Sequence, residues 1–285
     1  MNKGKILLQP MGGLANRMRV ISVLFELCCN VEAEFEVLWV NNDDCGASWR
    51  QLFKEPPFII KEINGSYIHA YRSKRWYRRL PHLLWMFYHK YTWLSNNDVC
   101  ALTAVDTPEN SAKIRLDWEC RLRNGERMFV VTGDNLGPVN DLSMFTPIDG
   151  VCNYVNEFWE ECASVYPVIY GLHIRRTDNI WSINSSPLEL FEKKICDVLM
   201  QNPSSAFYLA SDDEDTVSEL KAKFGDKVIV RAKELSRKTS VGMQNALIDM
   251  LLLGKCKKIF GSYFSSFSEM ASWIGGVELE IIKKN

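Results

Sequence analysis

The chain has 285 residues, enough for two domains of ordinary size, and its 47% hydrophobic and 24% charged residues describe a globular protein. A formal net charge of −1 argues against a nucleic-acid protein with a general basic surface. No uninterrupted apolar run reaches the ~18 residues that a membrane-spanning helix needs, so none is expected.

The opening residues carry only Ile6-Leu7-Leu8 as an apolar core, too short for a signal peptide, and Lys5 to Gln9 reads as a first strand. Pro10-Met11-Gly12-Gly13-Leu14-Ala15-Asn16-Arg17 is a glycine-bearing turn. Met18 to Cys29 then places Met18, Ile21, Leu24, Phe25 and Cys28 at helical spacing, and Phe35 to Val40 is the next strand. Strand, glycine loop, helix and strand make the entry to a doubly wound sheet. Residues 45 to 150 are less regular. Within them, 69–94 is basic and aromatic, with Arg72, Lys74, Arg75, Arg78, Arg79 and Lys90 among Tyr71, Trp76, Tyr77, Trp85, Phe87, Tyr88, Tyr91 and Trp93, and with no acid between Glu62 and Asp98. Its default reading is a helical insertion with a solvated basic face. Contact with an anionic membrane surface and stacking on a sugar acceptor are the alternatives.

From about 150 a β-α repeat with short connections returns. Helices are expected over 151–166, 187–200, from 211–215 to 224, 241–254 and 268–274. Strands are expected over 168–174, 206–210, 227–230, 258–260 and 277–282. The pattern predicts a parallel sheet with helices on both faces. The domains expected are 1–150 and 151–285. Nine cysteines, none in a C-x-x-C pair and most among apolar neighbours (Cys28, Cys29, Cys152, Cys162, Cys196, Cys256), read as buried, reduced thiols of a cytoplasmic protein. The four histidines lack zinc-site spacing, so no structural metal is expected.

Four constellations carry chemistry. The first is Gly171-Leu172-His173-Ile174-Arg175-Arg176-Thr177-Asp178, which closes the apolar run from Val168. Guanidiniums at the C-terminal end of a buried parallel strand suit an anion, because Arg grips phosphate or carboxylate with two parallel hydrogen bonds. The bland alternative is a surface ion pair of Arg176 with Asp178. The second is Gly261-Ser262-Tyr263-Phe264-Ser265-Ser266-Phe267-Ser268, between a strand and a helix. Its hydroxyls and free N–H groups suit phosphate oxygens, or its serines cap the helix. The third is Asp249 in an apolar stretch. It needs a partner, either the adjacent N–H donors of a guanine or a buried Lys or Arg. The fourth is Asp212 to Asp215, a helix start matched to the helix dipole, with Asp212 near enough to the strand end to touch a nucleotide. The Gly12-Gly13 loop is neither a dinucleotide fingerprint nor a P-loop. It lets backbone approach a ligand, with Gly13, Asn16 and Arg17 as candidates for its contacts.

In series these segments resemble a known group. His173-Ile174-Arg175-Arg176-Thr177-Asp178 matches the H-x-R-R-x-D motif of α1,2- and α1,6-fucosyltransferases. Tyr208-Leu209-Ala210-Ser211-Asp212-Asp213 is similar to the second motif of the α1,6 and nodulation enzymes, and Ile248-Asp249 through Phe264-Ser265-Ser266 to their third. Met11-Gly12-Gly13-Leu14-Ala15-Asn16-Arg17 resembles the glycine loop of bacterial α1,2-type enzymes. The likeness covers the second half well, the first forty residues fairly and 45–150 hardly at all.

The resemblance implies an α/β, GT-B architecture of two Rossmann-like domains facing across a cleft, the N-terminal on the acceptor side and the C-terminal binding GDP-fucose. It implies inverting transfer of fucose to a glycan hydroxyl with no cofactor or required metal. A lipid-linked acceptor at the inner face of a membrane would give 69–94 a use. Carried over by position, Arg175 binds the β-phosphate and Arg176 supports that site. Asp178 falls on the motif's Asp, His173 contacts the nucleotide sugar, Asp249 reads guanine, and Ser265 and Ser266 hold phosphate. Two positions depart. The α1,6 enzymes place a Glu ten residues after the motif His, where this chain has Ile183, and a Gln after the paired serines, where it has Phe267. The alternatives are a non-catalytic glycan- or nucleotide-binding protein and a glycosyltransferase using another nucleotide sugar. An NAD-dependent oxidoreductase, suggested by fold alone, lacks its glycine fingerprint.

Overall fold

The structure is a computed structural model. It describes residues 3–64, 84–105, 107–177 and 180–284. Most of the basic aromatic segment and Asp178 therefore lie outside the described residues.

The chain divides into two compact units. The first holds residues 1–148 and 237–243, and the second 149–236 and 244–285. The first unit is built on five strands: β1 (Lys5–Pro10), β2 (Glu34–Asn41), β3 (Ile59–Asn64), β4 (Tyr91–Leu94) and β5 (Arg127–Thr132). They pair in parallel in the order β3-β2-β1-β5-β4. Helix α1 (Leu14–Asn30) follows β1, and α2 (Asn96–Thr103) and α3 (Pro108–Arg123) lie between β4 and β5. β1 is buried along its whole length, as a central strand covered on both faces must be. Where the helical insertion was expected, Tyr91–Leu94 is instead an edge strand paired with β5. Its Tyr-Thr-Trp-Leu run suits a half-buried pleated surface, which local basic-aromatic composition does not reveal.

In the second unit α4 (Asp149–Val165) precedes β6 (Val168–Ile174). There follow α5 (Ile180–Ser185), α6 (Leu188–Gln201), β7 (Ser205–Ser211), α7 (Glu214–Phe224), β8 (Val228–Ile229), α8 (Ser240–Lys255), β9 (Lys258–Ser262), α9 (Ser266–Gly275) and β10 (Glu278–Ile282). The sheet is parallel, in the order β10-β9-β6-β7-β8. Leu172, Ile174, Phe207, Leu209 and Phe260 of its strands pack with Phe191 and Ile195 of α6. Burying each such side chain stabilises the fold by about 1.5–3 kcal/mol.

Each sheet has one place where successive strands stop advancing in one direction and resume on the other side. In the first unit it lies between β1 and β5, in the second between β6 and β9. Ligands of open α/β sheets bind beyond the carboxyl ends of the strands at such points. The glycine loop follows β1 and the paired arginines follow β6, so both motifs fall at a switch point.

The nine cysteines are free. Cys28, Cys45 and Cys256 are buried, but Cys29 and Cys196, expected inside, are exposed. Both sit on helices whose apolar neighbours turn to the sheet while they turn away. Among the described residues no helix is long and apolar enough to cross a membrane.

Candidate functional site

At the β6–β9 switch point the sequence brings two loops together. Ser262 Oγ, at the end of β9, donates to the His173 carbonyl at 3.2 Å and accepts from the Arg175 N–H at 3.1 Å. Gly261 allows α9 to come this close: a Cβ there would stand 2.6 Å from Ser268 Oγ. Ser186, fully buried after α5, ties the same loops from behind. Its carbonyl accepts from Arg176 Nη1 at 2.8 Å and its hydroxyl from the Tyr263 N–H at 2.8 Å. On the other flank Asp212, just beyond β7, accepts from the Arg176 N–H at 2.7 Å and from the Thr177 hydroxyl at 2.7 Å.

These bonds sort the paired arginines. The Arg176 guanidinium turns back to a main-chain carbonyl, and burial pushes its pKa down. It braces the loop. Arg175 is half-buried and its backbone is fixed by Ser262. Asp212 holds the loop with both carboxylate oxygens, a different use from the nucleotide contact expected for it.

His173 is buried, stacked on Phe267 at 4.7 Å, with Nδ1 hydrogen-bonded to Ser268 Oγ at 2.7 Å and 3.5 Å from Ser265 Oγ. Burial pushes its pKa down to about 4, and the nearby Arg175 adds to the shift against the opposing pull of Asp212. The ring is therefore neutral at physiological pH. Ser265 is the N-cap residue of α9, yet its side chain makes no capping bond. Ser266 is the first helical residue beside it. The loop before them holds Phe264 at φ 55°, a left-handed conformation that a bulky residue adopts only when its surroundings impose it.

Asp249, on α8, is 6% exposed. Of the two partners open to it in the sequence, cations of this chain are the ones found. Arg231 Nη2 donates to Oδ1 at 3.0 Å, the Tyr208 hydroxyl donates to the same oxygen at 2.7 Å, and the Lys233 ammonium bonds Oδ2. Burial raises the Tyr208 pKa well above its ordinary value, with the Asp249 charge adding to the shift.

The glycine loop behaves otherwise. Arg17, expected to face a ligand, is fully buried inside the first unit. Its Nε donates to the Gly12 carbonyl at 2.8 Å, Nη1 to the Val40 carbonyl at 2.6 Å, and Nη2 to Asn42 Oδ1 at 2.9 Å. The guanidinium also lies over Trp39, 4.9 Å from the ring centroid. Arg17 is thus the pin that fastens the loop to β2, because main-chain carbonyls converge where a ligand was expected. Asn16 Oδ1 accepts from Arg19 Nη2 at 3.4 Å. Gly12 supplies the turn, at φ 77°, while Gly13 is the N-cap residue of α1.

Sequence reasoning missed Ser186, Ser262, Ser268, Arg231 and Lys233. Ser262 and Ser268 lie inside the serine-rich octet already singled out. The other three carry no local signal, since their partners are distant in the chain.

No protein-family model matches the chain, and no curated protein matches it in sequence. Its structure is similar to solved fucosyltransferases. Arabidopsis thaliana FUT1, in complex with GDP, matches with a TM-score of 0.62 at 16% identity over 100% of this chain and 71% of that one. NodZ α1,6-fucosyltransferase soaked with GDP-fucose matches with a TM-score of 0.57 at 14% identity, over 95% and 92%. POFUT1 in complex with GDP matches with a TM-score of 0.56 at 8% identity, over 99% of each chain. At these identities the likeness establishes the fold: two parallel five-stranded sheets with flanking helices, as in GT-B fucosyltransferase structures.

Proposed function

We propose that this chain is an inverting fucosyltransferase that moves fucose from GDP-fucose to a hydroxyl of a glycan acceptor, using fixed cations in place of a metal ion. The observation that carries the reading is the arrangement at the β6–β9 switch point. There Arg175 is presented by a loop tied on three sides, beside a neutral His173 and the start of α9. The diphosphate lies against Arg175 and the N–H groups of the first turn of α9, with Ser265 and Ser266 beside it. The His173 Nε2, which has no hydrogen-bond partner among the described residues, faces the nucleotide sugar.

In the reaction the acceptor oxygen attacks C1 of fucose and the bond from C1 to the β-phosphate oxygen breaks. The electron pair leaves with GDP, and the hydroxyl proton passes to a base. Arg175 stabilises the charge that develops on the departing diphosphate, a preorganised cation that needs no rearrangement at the moment of transfer. The second unit binds the donor.

Ile183, where the α1,6 enzymes carry a Glu, favours a second reading, a protein that binds the nucleotide sugar without transferring it. Calorimetric titration with GDP, GDP-fucose, GDP-mannose and UDP-glucose, with and without EDTA, tests the donor site. Tight, EDTA-insensitive binding of the guanine nucleotides and none of UDP-glucose is expected. Absence of guanine-nucleotide binding would overturn both readings. Binding with neither transfer to a glycan panel nor slow donor hydrolysis would select the second.

A further inference from the structure

The buried cluster around Asp249 has more positive charge than it can neutralise. Arg231, Lys233 and Asp249 have side chains only 4%, 8% and 8% exposed, so two cations share one carboxylate. Unbalanced charge in such a place is costly unless something else completes it.

The two cations are not equivalent. Arg231 is anchored, with Nη1 donating to Asn245 Oδ1 at 2.8 Å and Nη2 to the Asn245 carbonyl at 3.0 Å, and with the guanidinium over Tyr154 at 5.3 Å. Lys233 is not. Among the described residues Asp249 Oδ2 is the only hydrogen-bond partner of its ammonium, which has three N–H donors. Two donors of a buried ammonium are left over. The carboxylate is uneven in the same way. Oδ1 already accepts from Tyr208 and Arg231, which fills both its lone pairs, whereas Oδ2 accepts from Lys233 alone. The cluster therefore offers ammonium donors and one acceptor site side by side.

We infer that Lys233 is a specificity-determining residue that donates to the O6 carbonyl of a guanine base while Asp249 Oδ2 accepts from N1–H. The inference rests on the guanine-nucleotide reading of this unit and deepens it. With the diphosphate held at Arg175, the order of donor and acceptor is fixed relative to the ribose. An adenine in the same pose sets its amino group against the ammonium and its bare N1 against the carboxylate, leaving both mismatched. Because Oδ1 is full, the exocyclic N2 amino group contributes little.

The test is calorimetric titration of the whole protein with GDP, inosine diphosphate and ADP, on wild type and on Lys233→Met, which keeps the side chain's length and removes its charge. Wild type should bind inosine diphosphate, which keeps O6 and N1–H but lacks N2, within about threefold of GDP, and ADP at least tenfold more weakly. In Lys233→Met the affinity for GDP should fall about 10- to 100-fold, the range for losing a hydrogen bond to a charged group. Its preference for GDP over ADP should shrink towards unity. A variant that keeps the wild-type preference overturns the inference and leaves the donor site standing. Inosine diphosphate binding tenfold or more below GDP also overturns it, without needing the variant to fold. A wild type that binds no guanine nucleotide overturns the donor site itself, and the inference with it.

Discussion

Arg17 and Arg175 hold comparable places in their two units. Each follows the central strand of a parallel sheet, at the point where the strand order turns back, Arg17 in the first turn of α1 and Arg175 in a loop, and sequence alone marks both segments as ligand-binding. Their surroundings differ. The Gly12 carbonyl from the loop after β1, the Val40 carbonyl of β2 and Asn42 Oδ1 just beyond β2 converge on Arg17. The loop after β6 is tied through its main chain, by Ser262 and Asp212, and through the neighbouring Arg176. An arginine at a switch point is therefore not by itself a ligand group. The Gly12 and Val40 carbonyls make Arg17 a fastening of the fold, whereas the proposed function gives Arg175 a ligand.

That contrast is open to direct attack. Arg17→Ala leaves two carbonyls and an amide without their donor and opens a cavity. It should destabilise the protein by roughly 3–5 kcal/mol, read as a shift of the urea midpoint. A fully stable Arg17→Ala protein would break the contrast at its first member. Arg175→Ala should do the opposite. Transfer should slow by roughly 10²–10³-fold, the size seen for losing one group that stabilises transition-state charge. The loss of stability should be smaller than for Arg17→Ala, because Arg175 is half-buried whereas Arg17 is fully buried. Near-normal turnover would remove Arg175 from the mechanism.

His173 sharpens the picture through pH. Its folded pKa, about 4, lies below the ordinary value of 6.5, so between those values the unfolded chain takes up a proton that the folded chain does not. Stability is complete above about pH 6.5 and declines as pH falls towards 4, by roughly 3 kcal/mol in all. Urea melts at pH 7.5 and 5 should show roughly 2 kcal/mol of this loss, and His173→Gln should flatten it. An equal slope in the variant would assign the acid sensitivity elsewhere. The smallest effect belongs to Ser186. Ser186→Ala removes the acceptor of the Tyr263 N–H but keeps the carbonyl that holds Arg176. It should cost about 1 kcal/mol of stability. Unchanged urea melts for Ser186→Ala would show that the hydroxyl does not fasten the Tyr263 loop.

The second unit was legible in the sequence because its strands are short apolar runs bounded by turn residues. β6 spans the residues the pattern predicts, and α8 and α9 differ from it by one or two. The middle of the first unit was not. β4 is four residues at a sheet edge, and nothing in Tyr91-Thr92-Trp93-Leu94 distinguishes it from the aromatic run before it. The placing of His173, Arg175, Arg176, Ser265 and Ser266 at one edge followed from their positions after predicted strands. The roles of Arg17, Asp212 and Ser186 did not.

What the sequence determined by itself was the alternation of strands and helices, the parallel character of the sheets and the chemical type of each loop. Periodicity, apolar run length and turn residues are local properties, and they survive without knowledge of neighbours. Tertiary structure alone decided which polar groups pair. Arg17 with Val40, Arg176 with Ser186, and Asp249 with Tyr208, Arg231 and Lys233 meet across 10 to 41 positions of chain. A buried charge takes whatever partner the packed sheet brings within reach, and no local pattern records that partner.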